Sequence, residues 1–139
     1  MHTVGTFTFE SAGDAREQYE SVGPAAQTVV REVATAMEFD REEYDERITG
    51  DVVETARDAL FASLLEVRVG SREEFEDWRH SYDGEVTKVG HEAVDHVAWH
   101  AGPDDEAVAA TFQDEEDAAV ATLRRQAFGR LYRELVEQS

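Results

Sequence analysis

The sequence of 139 residues contains no cysteine, and this absence excludes several kinds of chemistry. Disulfide bonds, thiolate nucleophiles and cysteine-ligated zinc or iron–sulfur centres all need a residue that the chain does not have. Asparagine is also absent, and Lys88 is the one lysine. No apolar run approaches the roughly 18 residues of a membrane span. We therefore expect no membrane contact and no thiol chemistry.

Basic residues are scarce, and acidic residues dominate the charge. The chain has 32 Asp and Glu against 13 Lys and Arg, which gives a formal net charge of -19. In molar salt the Debye length is about 3 Å, so an acidic surface stops repelling itself, whereas in dilute buffer the repulsion destabilises the folded state. The composition therefore predicts a halophilic, salt-requiring protein; the alternative is an ordinary acidic protein. The acidic surface also opposes nucleic-acid binding.

The N-terminal residues Met1–Val4 lack the basic and apolar regions of a signal peptide, so we expect a cytoplasmic protein. Hydrophobic residues make up 41% of the chain, which is enough for a core. We find no linker, repeat or low-complexity tract. One domain is predicted over residues 1–139, with a helix-rich half at 1–63 and a strand-helix-hairpin-helix half at 64–139.

In the first half, residues 4–9 alternate as a strand does, and helices are predicted to begin near Ser11 and Pro24. Asp51 and Glu54 have capping-box spacing, and we interpret Gly50 before them as a helix stop. The helix after Pro24 has one apolar arc, which predicts a face that packs on the core. The arc contains Ala25, Val29, Val30, Val33, Ala36 and Met37.

In the second half, residues 65–69 alternate as a strand, and Ser71 and Glu74 form a capping box that opens a helix. A short strand is predicted over 85–89. Residues 91–101 fit a helix that stops at Gly102, but we favour a hairpin that turns at 102–105, because Val and aromatic residues prefer a pleated surface. A last helix begins at the acidic run 114–117 and extends toward Glu137.

These patterns predict an α+β fold in which a small antiparallel or mixed sheet of three to four strands packs with five to six helices. Four aromatic residues, Phe75, Trp78, Tyr82 and Trp99, are interpreted as core. We find no phosphate loop and no nucleophile motif, and with so many acids no pair of carboxylates is informative.

Three of the five histidines, His91, His96 and His100, lie within ten residues together with Glu92 and Asp95. On a helix, His96 and His100 would share one face and could hold zinc or another divalent ion. On a strand they would be roughly 13 Å apart, which is too far to chelate one ion. The other interpretation is that they are sheet or surface histidines.

The segment from Thr122 to Arg133 holds four arginines and no acid. They are Arg124, Arg125, Arg130 and Arg133, and we predict that they contact a protein partner. Arg124 falls inside the apolar arc of the helix, so it is expected to be partly buried with a carboxylate or carbonyl partner. Gly129 in mid-helix suggests close approach of another backbone or a dimer contact.

The chain resembles an uncharacterised family of small acidic haloarchaeal proteins of unknown function. The resemblance rests on residues 58–65, 107–113 and 122–128 and extends over most of the chain. It implies a high-salt cytoplasm but provides no activity, cofactor or catalytic residues.

From the sequence we therefore expect a non-enzymatic protein-interaction module without a cofactor, which binds a protein partner or a second copy. The alternative is a divalent-metal-binding protein or metal-dependent enzyme that uses the histidine cluster.

Overall fold

Five strands form one mixed sheet in the computed structural model, which describes residues 1–91 and 93–137. The order across the sheet is β1-β2-β4-β5-β3. The pair β3/β5 is parallel, and the other pairs are antiparallel. The strands are β1 (His2–Val4), β2 (Val67–Ser71), β3 (Glu85–Val89), β4 (His96–Ala101) and β5 (Glu106–Phe112).

Seven α-helical segments accompany the sheet in the described residues. They are α1 (Ala12–Ser21), α2 (Gly23–Ala36), α3 (Arg41–Arg47), α4 (Gly50–Ser63), α5 (Arg72–Ser81), α6 (Glu116–Ala127) and α7 (Arg133–Glu137). A π-helical turn, Phe128–Tyr132, joins α6 to α7. The α+β prediction and the mixed sheet are confirmed, whereas the predicted numbers of strands and helices are wrong.

The hairpin prediction for the second half is confirmed. β4 and β5 pair with Ala98 opposite Ala110. The turn closes with a hydrogen bond of 2.8 Å from the Gly102 amide to the Glu106 carbonyl. Asp104 and Asp105 have φ values of 62° and 56°, a conformation that Asp tolerates better than most residues. β4 is thereby placed in the centre of the sheet.

Helices pack on both faces of the sheet. The larger core contains Phe61 of α4, Leu123 of α6 and Tyr132 of the π turn, all fully buried. On the other face, α5 covers a smaller core around Phe75 and Trp99. None of the helices in residues 1–91 and 93–137 has the length and hydropathy needed to cross a lipid bilayer.

The first strand differs from its prediction over residues 4–9. Strand pairing runs from His2 to Val4 and stops there, and the chain turns at Gly5, which has a φ of +92°. The amides of Thr6 and Phe7 both donate to the Leu64 carbonyl, at 2.9 and 2.7 Å, and Phe7 forms a single bridge with Leu65. The next strand is correspondingly later than predicted, at residues 67–71.

The interpretation of Gly50 as a helix stop is wrong. Thr49 caps α4, and its hydroxyl accepts a hydrogen bond from the Val52 amide at 3.4 Å. Gly50 is the first residue of that helix. The extended backbone of Ile48 and Thr49 separates α3 from α4. A threonine cap satisfies a free amide of the first turn, so the helix can begin before the acidic pair.

Candidate functional site

A buried polar junction forms where α4 passes into β2. The carbonyl of Leu65 accepts a hydrogen bond of 3.0 Å from Nε of Arg124, on α6. The next carbonyl, that of Glu66, lies 2.6 Å from Nδ1 of His100, on β4. Nε2 of His100 lies 2.6 Å from the hydroxyl of Tyr132 in the π turn. One histidine and one arginine that the sequence placed in two different candidate sites therefore meet at consecutive carbonyls.

The partners of His100 define its proton position. A carbonyl oxygen only accepts, so Nδ1 carries the proton and donates to Glu66, while Nε2 accepts from the hydroxyl of Tyr132. The side chain is 1% exposed, and this burial lowers the pKa of His100 to about 4. The nearby charges of Arg124 and Arg68 lower the pKa further. His100 is thus neutral near pH 7 and has no nitrogen open to a ligand.

The predicted partial burial of Arg124 and its hydrogen bond to a carbonyl are confirmed, whereas its predicted contact with a protein partner stays a prediction. Its side chain is partly buried and has a carbonyl partner, Leu65. Burial also lowers the pKa of Arg124 from its ordinary value. Gly5 leaves the space that this guanidinium occupies, because a Cβ at that position would lie 2.6 Å from one of its nitrogens. Arg124 therefore links α6 to the short segment between α4 and β2.

The three histidines proposed as metal ligands do not converge. His96 is exposed on β4 and stacks on Phe112, with 5.4 Å between ring centroids, while His91 is exposed before that strand. His100 is closed by its two hydrogen bonds. Glu92 lies outside the described residues. Within residues 1–91 and 93–137, no three His, Asp or Glu side chains are placed to hold a metal ion.

The other three arginines of the predicted partner site are exposed. Arg125 is 3.5 Å from the hydroxyl of Thr122, and Arg133 lies over the ring of Phe128. Arg130 borders a groove of about 350 Å³ whose lining includes Asp104 and Glu134. No backbone of this chain approaches Gly129 closely in the described residues, because a Cβ there would meet nothing within 4 Å, whereas the alternative, a dimer contact, stays a prediction. The partner role of these arginines stays a prediction.

The core prediction for the aromatic set is confirmed for two of its members, whereas Trp78 and Tyr82 are only half-buried. Phe75 and Trp99 are fully buried, and Trp78 stacks on Tyr82 with 4.6 Å between centroids. Lys88 extends over the ring of Phe75.

Beside Lys88 is an open cavity of about 680 Å³. Its lining mixes two cations with three acids and contains Ser71, Arg72, Glu73, Glu76, Lys88 and Asp95. This mixture favours neither anions nor cations.

The exposed apolar side chains form a different kind of feature. Seven large ones are exposed in the part of the chain that the structure describes, and five belong to α2, to α4 or to the residue that ends one of these helices. Those five are Val29, Val33, Met37, Val52 and Leu64. The sequence assigned Val29, Val33 and Met37 to the core. Of the predicted arc the structure buries only Val30, together with Ala26 and Ala34, which lay outside that arc.

Two exposed stripes lie on the same outer side of the α2/α4 pair. A groove lies on the core side of the pair. It is lined by Gln27 of α2 and Arg57 of α4, together with Tyr19 and Val136. At about 100° per residue, both exposed stripes lie on the opposite side of their helices. We call this surface the α2/α4 face, and it consists of Ala25, Val29, Val33, Ala36, Val52, Thr55, Ala59 and Ser63.

The α2/α4 face carries no charge in a chain of which 32% is charged. Within α2 there are only two charged residues, Arg31 and Glu32, of which Glu32 borders the face, and on α4 the exposed Asp51 borders it one turn before Thr55. One signal in the sequence could have revealed this surface. The apolar arc of α2 is wider than the single face that a helix buries against one neighbour.

Fold and surface together define a small α+β protein with a closed polar junction inside and an uncharged helical face outside. The chain belongs to the family of unknown function DUF5809, which it matches over residues 6–133. No curated protein and no solved structure matches it.

Proposed function

We propose that this protein is a non-enzymatic protein-interaction module and that its contact surface is the α2/α4 face. The observation that carries the proposal is the exposure of Val29, Val33 and Val52, at 44%, 51% and 39%, on one uncharged side of two helices. Contiguous exposed apolar surface with a polar surround is typical of protein contact sites. The polar junction around His100 supports a structural role, because its nitrogens are occupied.

The partner that fits this face is an uncharged, apolar helical surface. A basic partner would gain energy from the carboxylates that cover a chain of net charge -19. The α2/α4 face lacks those carboxylates, so a basic partner would bind more weakly here than elsewhere. An apolar surface, by contrast, loses nothing in electrostatic energy and gains from the burial of the valines.

A site-specific cross-link tests this proposal. A photoreactive phenylalanine analogue is placed at Val33 or, as the matched control, at Val89, which is 41% exposed on the edge strand β3. After irradiation of the producing cells, we expect adducts at position 33 that are absent at position 89. The peptide captured should be apolar and free of charge. Equal adduct yields at the two positions would contradict the proposal.

A further inference from the structure

The α2/α4 face has the properties that contact between two copies of an acidic chain requires. Two chains of net charge -19 repel each other wherever their carboxylates approach. Salt screens this repulsion at a distance, but burying carboxylates against each other still costs free energy, so contact between copies is least costly at a surface from which acids are missing. In the described residues the α2/α4 face is such a surface, and acids border it at Glu32 of α2 and Asp51 of α4. The loss of charge is thus better explained by a second copy than by a cationic protein.

We infer that a second copy of this chain occupies the α2/α4 face, related by a twofold axis, so that the same patch of each copy meets itself. This inference rests on the proposed function, since it names the partner of the same face. A twofold contact of this kind is the commonest form of self-association among soluble proteins. It would bury the valines of both copies in one four-helix layer.

The size of the face determines what kind of dimer is expected. The helices α2 and α4 have 14 residues each, so the face is about 21 Å long and about 20 Å wide. Two such faces together bury about 840 Å², which is below the roughly 1,200 to 2,000 Å² of stable specific interfaces and in the range of weak, transient ones. The dimer should therefore be reversible, and its population should depend on protein concentration and on salt that screens the remaining acids.

The absence of cysteine allows a direct test. Val29→Cys, Val33→Cys and Val52→Cys each introduce one thiol per chain at the face, and Val89→Cys does the same on β3 as a control. Thiols at identical positions of two copies approach each other only near the twofold axis. We expect rapid oxidation to a covalent dimer, in molar KCl, for at least one of the three face variants and not for the control. Equally slow oxidation of all four variants would overturn the inference.

The two proposals fail in distinguishable ways. If the cross-linker at Val33 captures only other proteins and the cysteine variants stay monomeric, the face binds a partner but not a second copy, so the dimer inference is overturned and the proposed function is supported. If neither position 33 nor the cysteines react above the level at Val89, both are overturned. Circular dichroism of each variant establishes that it is folded.

Discussion

Arg124 and His100 hold consecutive carbonyls of one short segment, those of Leu65 and Glu66. The two side chains come from α6 and β4, so they join the helical layer and the central strand at the point where α4 becomes β2. Nε of Arg124 and Nδ1 of His100 each have a carbonyl acceptor, which avoids the cost of leaving these two donors unpaired. One residue from each of the two candidate sites of the sequence therefore forms a structural hydrogen bond inside the fold.

The pH dependence of stability should report on His100. Its pKa is about 4 in the folded protein and about 6.5 in an unfolded chain, so below pH 6.5 the unfolded state binds a proton that the folded state excludes. The free energy of unfolding should therefore fall by about 3 kcal/mol from this group as the pH drops from about 6.5 to 4, and no further below that.

Urea denaturation of His100→Gln at pH 7 and pH 4.5, at one KCl concentration, isolates this contribution from that of the carboxylates. We expect a smaller loss of stability than in the unmodified protein. His96→Gln, which changes an exposed histidine of the same strand, should show the unmodified loss. Equal losses in all three proteins would show that His100 is not the group responsible.

Two tyrosines should differ in how much their replacement by phenylalanine changes the free energy of unfolding. Tyr132→Phe removes the donor to Nε2 of His100 and should cost about 1 to 3 kcal/mol of unfolding free energy, because a buried acceptor is left unpaired. Tyr82→Phe removes a buried hydroxyl that has no hydrogen-bond partner among residues 1–91 and 93–137, so it should be neutral or stabilising. Thermal or urea unfolding at pH 7 measures both, and a larger loss for Tyr82→Phe would contradict the assignment.

Two glycines should respond in opposite directions to alanine. Gly5 has a φ of +92°, and a Cβ there would collide with the Leu65 carbonyl and the Arg124 side chain, so Gly5→Ala should cost at least about 2 kcal/mol. Gly129 is exposed in a helical turn with open space around it, so Gly129→Ala should stabilise by up to about 1 kcal/mol. Melting temperatures that shift in the same direction would refute this reading of the junction.

The parts of the fold that could be predicted are those with local signals in the sequence. The capping box of Ser71 and Glu74 and the strand at Glu85–Val89 are both confirmed. The hairpin of β4 and β5 also follows from β-favouring residues around a Gly-Pro turn. These elements depend on neighbours in the chain, which a sequence shows directly.

Other features depend on contacts between distant residues and could not be predicted. The first strand ends at Val4 because the amides of Thr6 and Phe7 donate to the Leu64 carbonyl, about 58 residues later in the chain. The side of α2 that is buried depends on where α4 packs. The burial of Arg124 and its carbonyl partner were predictable from its place in the apolar arc, but the identity of that carbonyl was not.

Salt should control the self-association of this acidic chain. We expect the dimer population to rise from 0.1 M to molar KCl, as the Debye length falls from about 10 Å to about 3 Å. Glu32→Gln removes one of the acids that border the α2/α4 face and should reduce this dependence. Glu17→Gln, on α1, removes the same charge elsewhere and should leave it unchanged. Light scattering after size exclusion measures all three, and identical salt curves would count against repulsion at this border.

The most direct measurement is the mass of the protein in solution, by sedimentation equilibrium in molar KCl over a wide range of concentration. We expect the unmodified chain to approach twice 15.6 kDa, and Val33→Glu to stay at the single-chain mass. Val89→Glu adds the same charge to a side chain of similar exposure, 41% against 51%, and should dimerise like the unmodified chain. A monomer at every concentration of the unmodified chain, or a dimer that Val33→Glu leaves intact, would contradict the account.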